Sequence, residues 1–170
     1  PASGLKNKGW KYARNNDGDY FGFMYLNGYF MFRSNQYTWD DPHWGAGNSE
    51  GALSPDGGTL NAAEGFYMVE ANIADLTYNL TPITTVGVIG GFNGWASDYA
   101  TLTYNTSTGA WEGYCDIPAG TDFKFRANNS WDINWGGSFD DLSQDGANLS
   151  VAETGTYTVK LYLSIAGAHH

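Results

Sequence analysis

Two stretches of this chain nearly repeat each other. YFMFRSN at 29–35 answers DFKFRAN at 122–128, 93 residues further on. Trp39-Asp40 then answers Trp131-Asp132 at an offset of 92, and Trp44-Gly45 answers Trp135-Gly136 at 91. Asp56-Gly57 and Leu60 match Asp145-Gly146 and Leu149 at 89, and Gly65-Phe66-Tyr67 matches Gly155-Thr156-Tyr157 at 90. Upstream, Gly9-Trp10 pairs with Gly94-Trp95 at 85. Offsets that drift while the order holds describe one fold used twice with loop insertions. A period near 90 residues is too long for a solenoid repeat and matches a small β-sandwich.

The strand reading is consistent along the chain. Residues alternate in Ala100-Leu102-Tyr104, Phe123-Phe125 and Tyr157-Val159-Leu161-Leu163, and Ser107-Thr108-Gly109, Pro118-Ala119-Gly120 and Asp145-Gly146 punctuate them as turns. No segment carries a 3.6-residue apolar stripe. Abundant glycine, at 23 of 170 residues, and 16% aromatics fit pleated sheets joined by tight turns. The expectation is an all-β chain of two tandem immunoglobulin-like sandwiches. Residues 1–81 form a diverged module and residues 82–170 a second one, divided near Asn79-Leu80-Thr81-Pro82, where proline cannot join a central ladder. The second module opens on Val86, Val88 and Ile89. The first has only PASGL before Trp10, so its opening strand is expected to be missing or shortened.

Charge narrows the partners. A net charge of -10 repels phosphate backbones, and no Lys/Arg cluster is present to release counterions, so nucleic acid is excluded as a partner. A neutral partner or a cation suits the chain better. No apolar run reaches the roughly 18 residues of a membrane span. The opening PASGLKNKGW shows no signal peptide, which would be absent from a mature chain. The single Cys115 reads as a small buried hydrophobe on a strand, and His169-His170 carry no assigned role.

One stretch concentrates the chemistry. In FKFRANNSWDINWGG (123–137), strand alternation places Lys124 and Arg126 on one face once Phe123 and Phe125 face the core. Read alone, they are two solvated cations. Beside Asn128, Asn129 and Trp131, in a chain with only eight Lys and Arg, they suggest a surface that holds something. Trp131 lies in a loop too polar to bury whole, and Trp95 lies among glycines in Gly91-Phe92-Asn93-Gly94-Trp95. Exposed flat aromatics are costly unless they bind. Trp44 and Trp135, each before a glycine and a return strand, read as structural. A sugar suits the set, since its C–H face stacks on an indole while its hydroxyls meet Lys, Arg and Asn.

Val88-Ile89-Gly90-Gly91-Phe92-Asn93-Gly94-Trp95 resembles the G-x-F-N-x-W opening of starch- and glycogen-binding β-sandwich modules. Together with FKFRANNSWDINWGG, the later DLSQDGANLSVAETGTYTV and the tandem repeat, it resembles most closely the SusE/SusF family. Those proteins are non-catalytic, surface-exposed outer-membrane lipoproteins of bacterial starch-utilisation systems. The resemblance covers most of 83–165, with a weaker copy over 9–80. It implies starch or maltooligosaccharide as ligand, other outer-membrane glycan-uptake proteins as partners, no cofactor, and a lipid-anchored place at the cell surface. By position it implies Trp95 and Trp131 as an aromatic platform and Lys124 as hydroxyl partner, with Arg126, Asn128 and Asn129 in support. The first module offers Trp10, Trp39 and Arg33, but Met31 stands where Lys124 stands, which should weaken or retune that site.

Other readings fare worse. Asp40, Asp41, Asp132, Asp140 and Asp141 supply carboxylates for a glycosidase, but none sits in a recognisable catalytic setting, and His43 has no Ser or Cys constellation, so no enzyme is expected. Asp141-x-Ser143-x-Asp145-Gly146 imitates a calcium loop, yet position twelve is Ala152, and a solvated turn is expected. A cell-surface scaffold or adhesion protein remains open, as does a different polysaccharide. Buried indoles would favour the scaffold. A helical α-glucan calls for angled rings and a flat β-glucan for coplanar ones.

Overall fold

The computed structural model describes residues 12–13, 18–34 and 42–164. All regular elements there are strands except a single 3-10 turn at Gly91–Asn93, so the chain is all-β. In order they are β1 (Tyr12–Ala13), β2 (Asp19–Phe30), β3 (Phe32–Arg33), β4 (His43–Ala46), β5 (Leu53–Pro55), β6 (Leu60–Asn72) and β7 (Thr77–Ile83). After these come β8 (Val86–Gly90), β9 (Ala100–Asn105), β10 (Ala110–Ile117), β11 (Phe123–Ala127), β12 (Asn134–Ser138), β13 (Asp141–Gln144) and β14 (Gly155–Leu161). The chain divides into two compact units, the first reaching Pro82 and the second spanning Ile83–Tyr162. The stretch around Pro82 is the end of strand β7. β7 sits at a sheet edge, where a residue without an N–H is tolerated.

The first unit holds a sheet ordered β1-β2-β6-β7 and a shorter one ordered β3-β4-β5. Its core gathers Met24, Leu26, Phe30, Phe32, Leu53 and Val69, with Trp44 packed against them. In the second unit the order is β13-β12-β11-β8-β9-β10-β14. β9 divides its pairing, setting Leu102 opposite Val86 of β8 and Tyr104 opposite Trp111 of β10. Phe123, Val86, Val88 and Leu102 are at most 2% exposed, and burying each contributes roughly 1.5–3 kcal/mol. Trp135 and Cys115 are buried too, and burial pushes the Cys115 thiol's pKa up.

The sequence repeat is a repeat of hydrogen-bond register. Phe32 pairs with Trp44 in the first unit as Phe125 pairs with Trp135 in the second. Gly45 faces Ser54 as Gly136 faces Ser143. The register also matches strands whose sequences do not align visibly, with Met24 opposite Tyr67 and Cys115 opposite Tyr157.

Two repeated motifs thereby gain a cause. A Cβ on Gly45 would lie 1.9 Å from the Gly58 carbonyl oxygen, and one on Gly136 would lie 2.1 Å from that of Ala147. Only glycine lets the chain return this close. Asp56 and Asp145 take the matching turns at φ 58° and 56°. The second motif ends in tyrosine. Tyr67 donates its hydroxyl to the Ala63 carbonyl at 3.0 Å, and Tyr157 donates to that of Glu153 at 2.7 Å.

Candidate functional site

β11 shows the expected alternation, with Phe123 and Phe125 buried in the core. The opposite face is not the open surface that two solvated cations would require. Arg126 is only 8% exposed, and Ile89, which pairs with Lys124, is fully buried. Part of the covering is loop 91–99. It leaves β8 through the 3-10 turn, and Gly94 and Trp95 reverse it at φ 67° and 64°. The Trp95 N–H donates to the Gly90 carbonyl at 2.9 Å, and the Tyr99 N–H returns to that of Val88 at 2.7 Å. The loop lays the Asp98 carboxylate over Gly87, where a Cβ would meet Asp98 Oδ2 at 2.2 Å. Gly87 is the ladder partner of Arg126, whose Nε donates to Asp98 Oδ1 at 2.5 Å. Both side chains of this ion pair are about nine-tenths buried.

Trp131 comes from the β11–β12 connection. Asn128 and Asn129 adopt φ 54° and 53°, and Ser130 N–H donates to the Ala127 carbonyl at 3.0 Å. Two successive left-handed residues inside such a bond form a primed hairpin turn, which asparagine tolerates better than most side chains. The Asn128 side chain is committed as well, its Oδ1 accepting from Thr84 N–H at 2.8 Å. Asn129 is exposed at the tip. Beyond the turn, buried Asn134 donates to the Trp131 carbonyl at 2.9 Å and to Asp145 Oδ1 at 2.7 Å, which anchors the backbone beneath the indole.

These elements bring three of the expected residues together. The Trp95 and Trp131 ring centroids are 6.0 Å apart with planes inclined at 40°. Trp131 is 46% exposed and Trp95 half-buried. The Arg126 guanidinium carbon lies over the Trp131 ring, 5.4 Å from its centroid. Lys124 stands on the same face of β11 as Arg126, two residues along, half-buried and without a carboxylate partner among the described residues. In the first unit Arg33 lies on β3 opposite His43, whereas Trp10 and Trp39 fall outside the described residues.

Two neighbours escape a reading of the sequence by types. Asp98 pairs with a residue 28 positions away, and only the turn-rich loop between them hints at closure. Tyr99 stacks on Phe92 at 4.6 Å and 23° and keeps 45% of its surface exposed. Its place directly after Asp98 is the one signal available. Among the described residues no three His, Cys, Asp or Glu side chains gather as metal ligands. No protein-family model matches this chain, and no curated protein matches it.

Proposed function

We propose that each unit is an immunoglobulin-like β-sandwich and that the second captures a starch-like α-glucan without chemical conversion. The sandwich reading draws support from β9, which serves two partner strands along its length, and from the tyrosine hydroxyl bonds of the tyrosine-corner type. The glucan reading rests on one observation, the 40° inclination of two adjoining indoles. Rings so disposed present one bent surface, which follows a helical α-glucan better than a flat β-glucan. A sugar's C–H face would lie on this surface while its hydroxyls reach the Lys124 ammonium. Hydrogen bonds to a charged group contribute about 1.5–3 kcal/mol each. Set against the association cost, a few such contacts correspond to roughly micromolar to millimolar affinity. By the resemblance to SusE/SusF proteins, such capture takes place at a bacterial cell surface beside glycan-uptake partners.

Electrophoresis in gels containing amylopectin tests this reading. Retardation of the wild type, lost in Trp131→Ala and Lys124→Ala and kept in Met31→Ala, is the expected pattern. Unchanged mobility of the wild type would remove starch as the ligand.

A further inference from the structure

We infer that Asp98 and Arg126 are positioning residues of the tryptophan platform, a buried pair that lays a guanidinium against one face of Trp131 and leaves the other to a neutral ring. The ligand half rests on the glucan reading above; the positioning half does not.

The geometry is built in layers. Gly87 has no side chain, so the Asp98 carboxylate can lie on β8. Asp98 Oδ1 then takes the Nε proton of Arg126 at 2.5 Å, out of solvent. A buried charge deprived of its partner is strongly unfavourable, so neither group leaves alone. Held this way, the planar guanidinium serves as a plate over the indole at 5.4 Å. Asn134 holds the backbone of the same tryptophan from the next strand. The ring is therefore set before any ligand arrives, which lowers the ordering cost of binding.

Arg126 also decides what the platform refuses. A chain of net charge -10 draws cations, and an indole attracts ammonium groups to its face. In Trp131 that attraction is already spent on Arg126. A cationic ligand on the exposed part of that ring would meet a fixed positive charge 5.4 Å from its centroid, whereas an uncharged sugar meets no such penalty.

The test uses the full chain labelled with 5-fluorotryptophan, its Trp131 fluorine resonance assigned by Trp131→Phe. Without ligand, Asp98→Asn should move and broaden that resonance while the signal of Trp111, buried elsewhere in the unit, stays put. Maltoheptaose binding should weaken about tenfold. Arg126→Lys keeps the charge for Asp98 but loses the plate; it should also move the Trp131 signal, and it decides the matter if Asp98→Asn does not fold. Benzyltrimethylammonium should leave the wild-type resonance unmoved. An unmoved Trp131 signal in a folded variant, or a response to the ammonium probe, overturns the inference. Failure of the wild type to bind maltoheptaose would instead sink the glucan reading, with the apo resonances still reporting on positioning.

Discussion

Gly136→Ala reaches from the repeated motif into the site. The added Cβ would sit 2.1 Å from the Ala147 carbonyl oxygen and 2.7 Å from that of Gly146, and both obstacles are backbone. A flexible side chain could swing aside, but here β12 or the return segment must move. Such overpacking costs roughly 1–3 kcal/mol. Because two backbone oxygens are struck at once, the upper part of that range, about 2–3 kcal/mol, is expected. With a urea dependence of roughly 1 kcal/mol per molar for a unit this small, the midpoint should fall by roughly 2–3 M. The assay is urea unfolding followed through the amide signals of Val88 and Phe125, which isolate the second unit. Since β12 carries Asn134, its displacement should also release the Trp131 carbonyl and reduce retardation in amylopectin gels. Gly155→Ala is the control within the same unit, because a Cβ there meets only the Tyr157 ring at an ordinary 3.6 Å and its φ is not left-handed. A midpoint within about 0.3 M of wild type for Gly136→Ala would refute the close-approach account of the Trp-Gly motif.

Other outcomes follow from the same contacts. Tyr157→Phe removes the hydroxyl donor to the Glu153 carbonyl and should cost about 1 kcal/mol by urea unfolding. Asn129→Gly should leave both stability and glucan retardation near wild type, since its left-handed φ accounts for the amide; lost retardation would make Asn129 a ligand contact. Asn128→Ala should destabilise by about 1–2 kcal/mol, because alanine accepts neither the φ nor the Thr84 hydrogen bond. Bonds from Thr108 and then Asn105, with Lys160 nearby, hold the Glu112 carboxyl below its ordinary pKa. Its contribution is present above the unfolded value of about 4.3 and is lost as pH falls through the lower folded one. Glu112→Gln should therefore flatten the pH dependence of unfolding in that acidic window.

Much of the architecture was legible because strand formation is written in neighbouring residues. Alternation located Phe123 and Phe125 inside, and Trp135 before Gly136 read as structural. The repeat was visible where types are constrained, in the Phe-x-Phe-Arg strand, at the glycine approach and at the tyrosine bond. Met24 and Cys115 hold equivalent places with unrelated types, because any compact apolar group fills a core position. Pro82 stands where the two units divide, and it does so inside edge strand β7, a placement that depends on which strands are neighbours. Asn128 and Asn129 are expected as sugar contacts, and consecutive asparagines before serine are equally a turn signal, which is the role their backbone shows.

Taken by itself, the order of residues determined the period-two pattern, the doubled motifs, the acidic surface and the presence of two tryptophans in polar loops. It could not decide that Arg126 would be sealed under a loop, that Asp98 would meet it, or that the two indoles would incline by 40°. Local periodicity arises from adjacent residues sharing one backbone conformation. Partners 28 and 36 positions apart meet only when a whole ladder locks into register, and that register is set by the packing of every strand together.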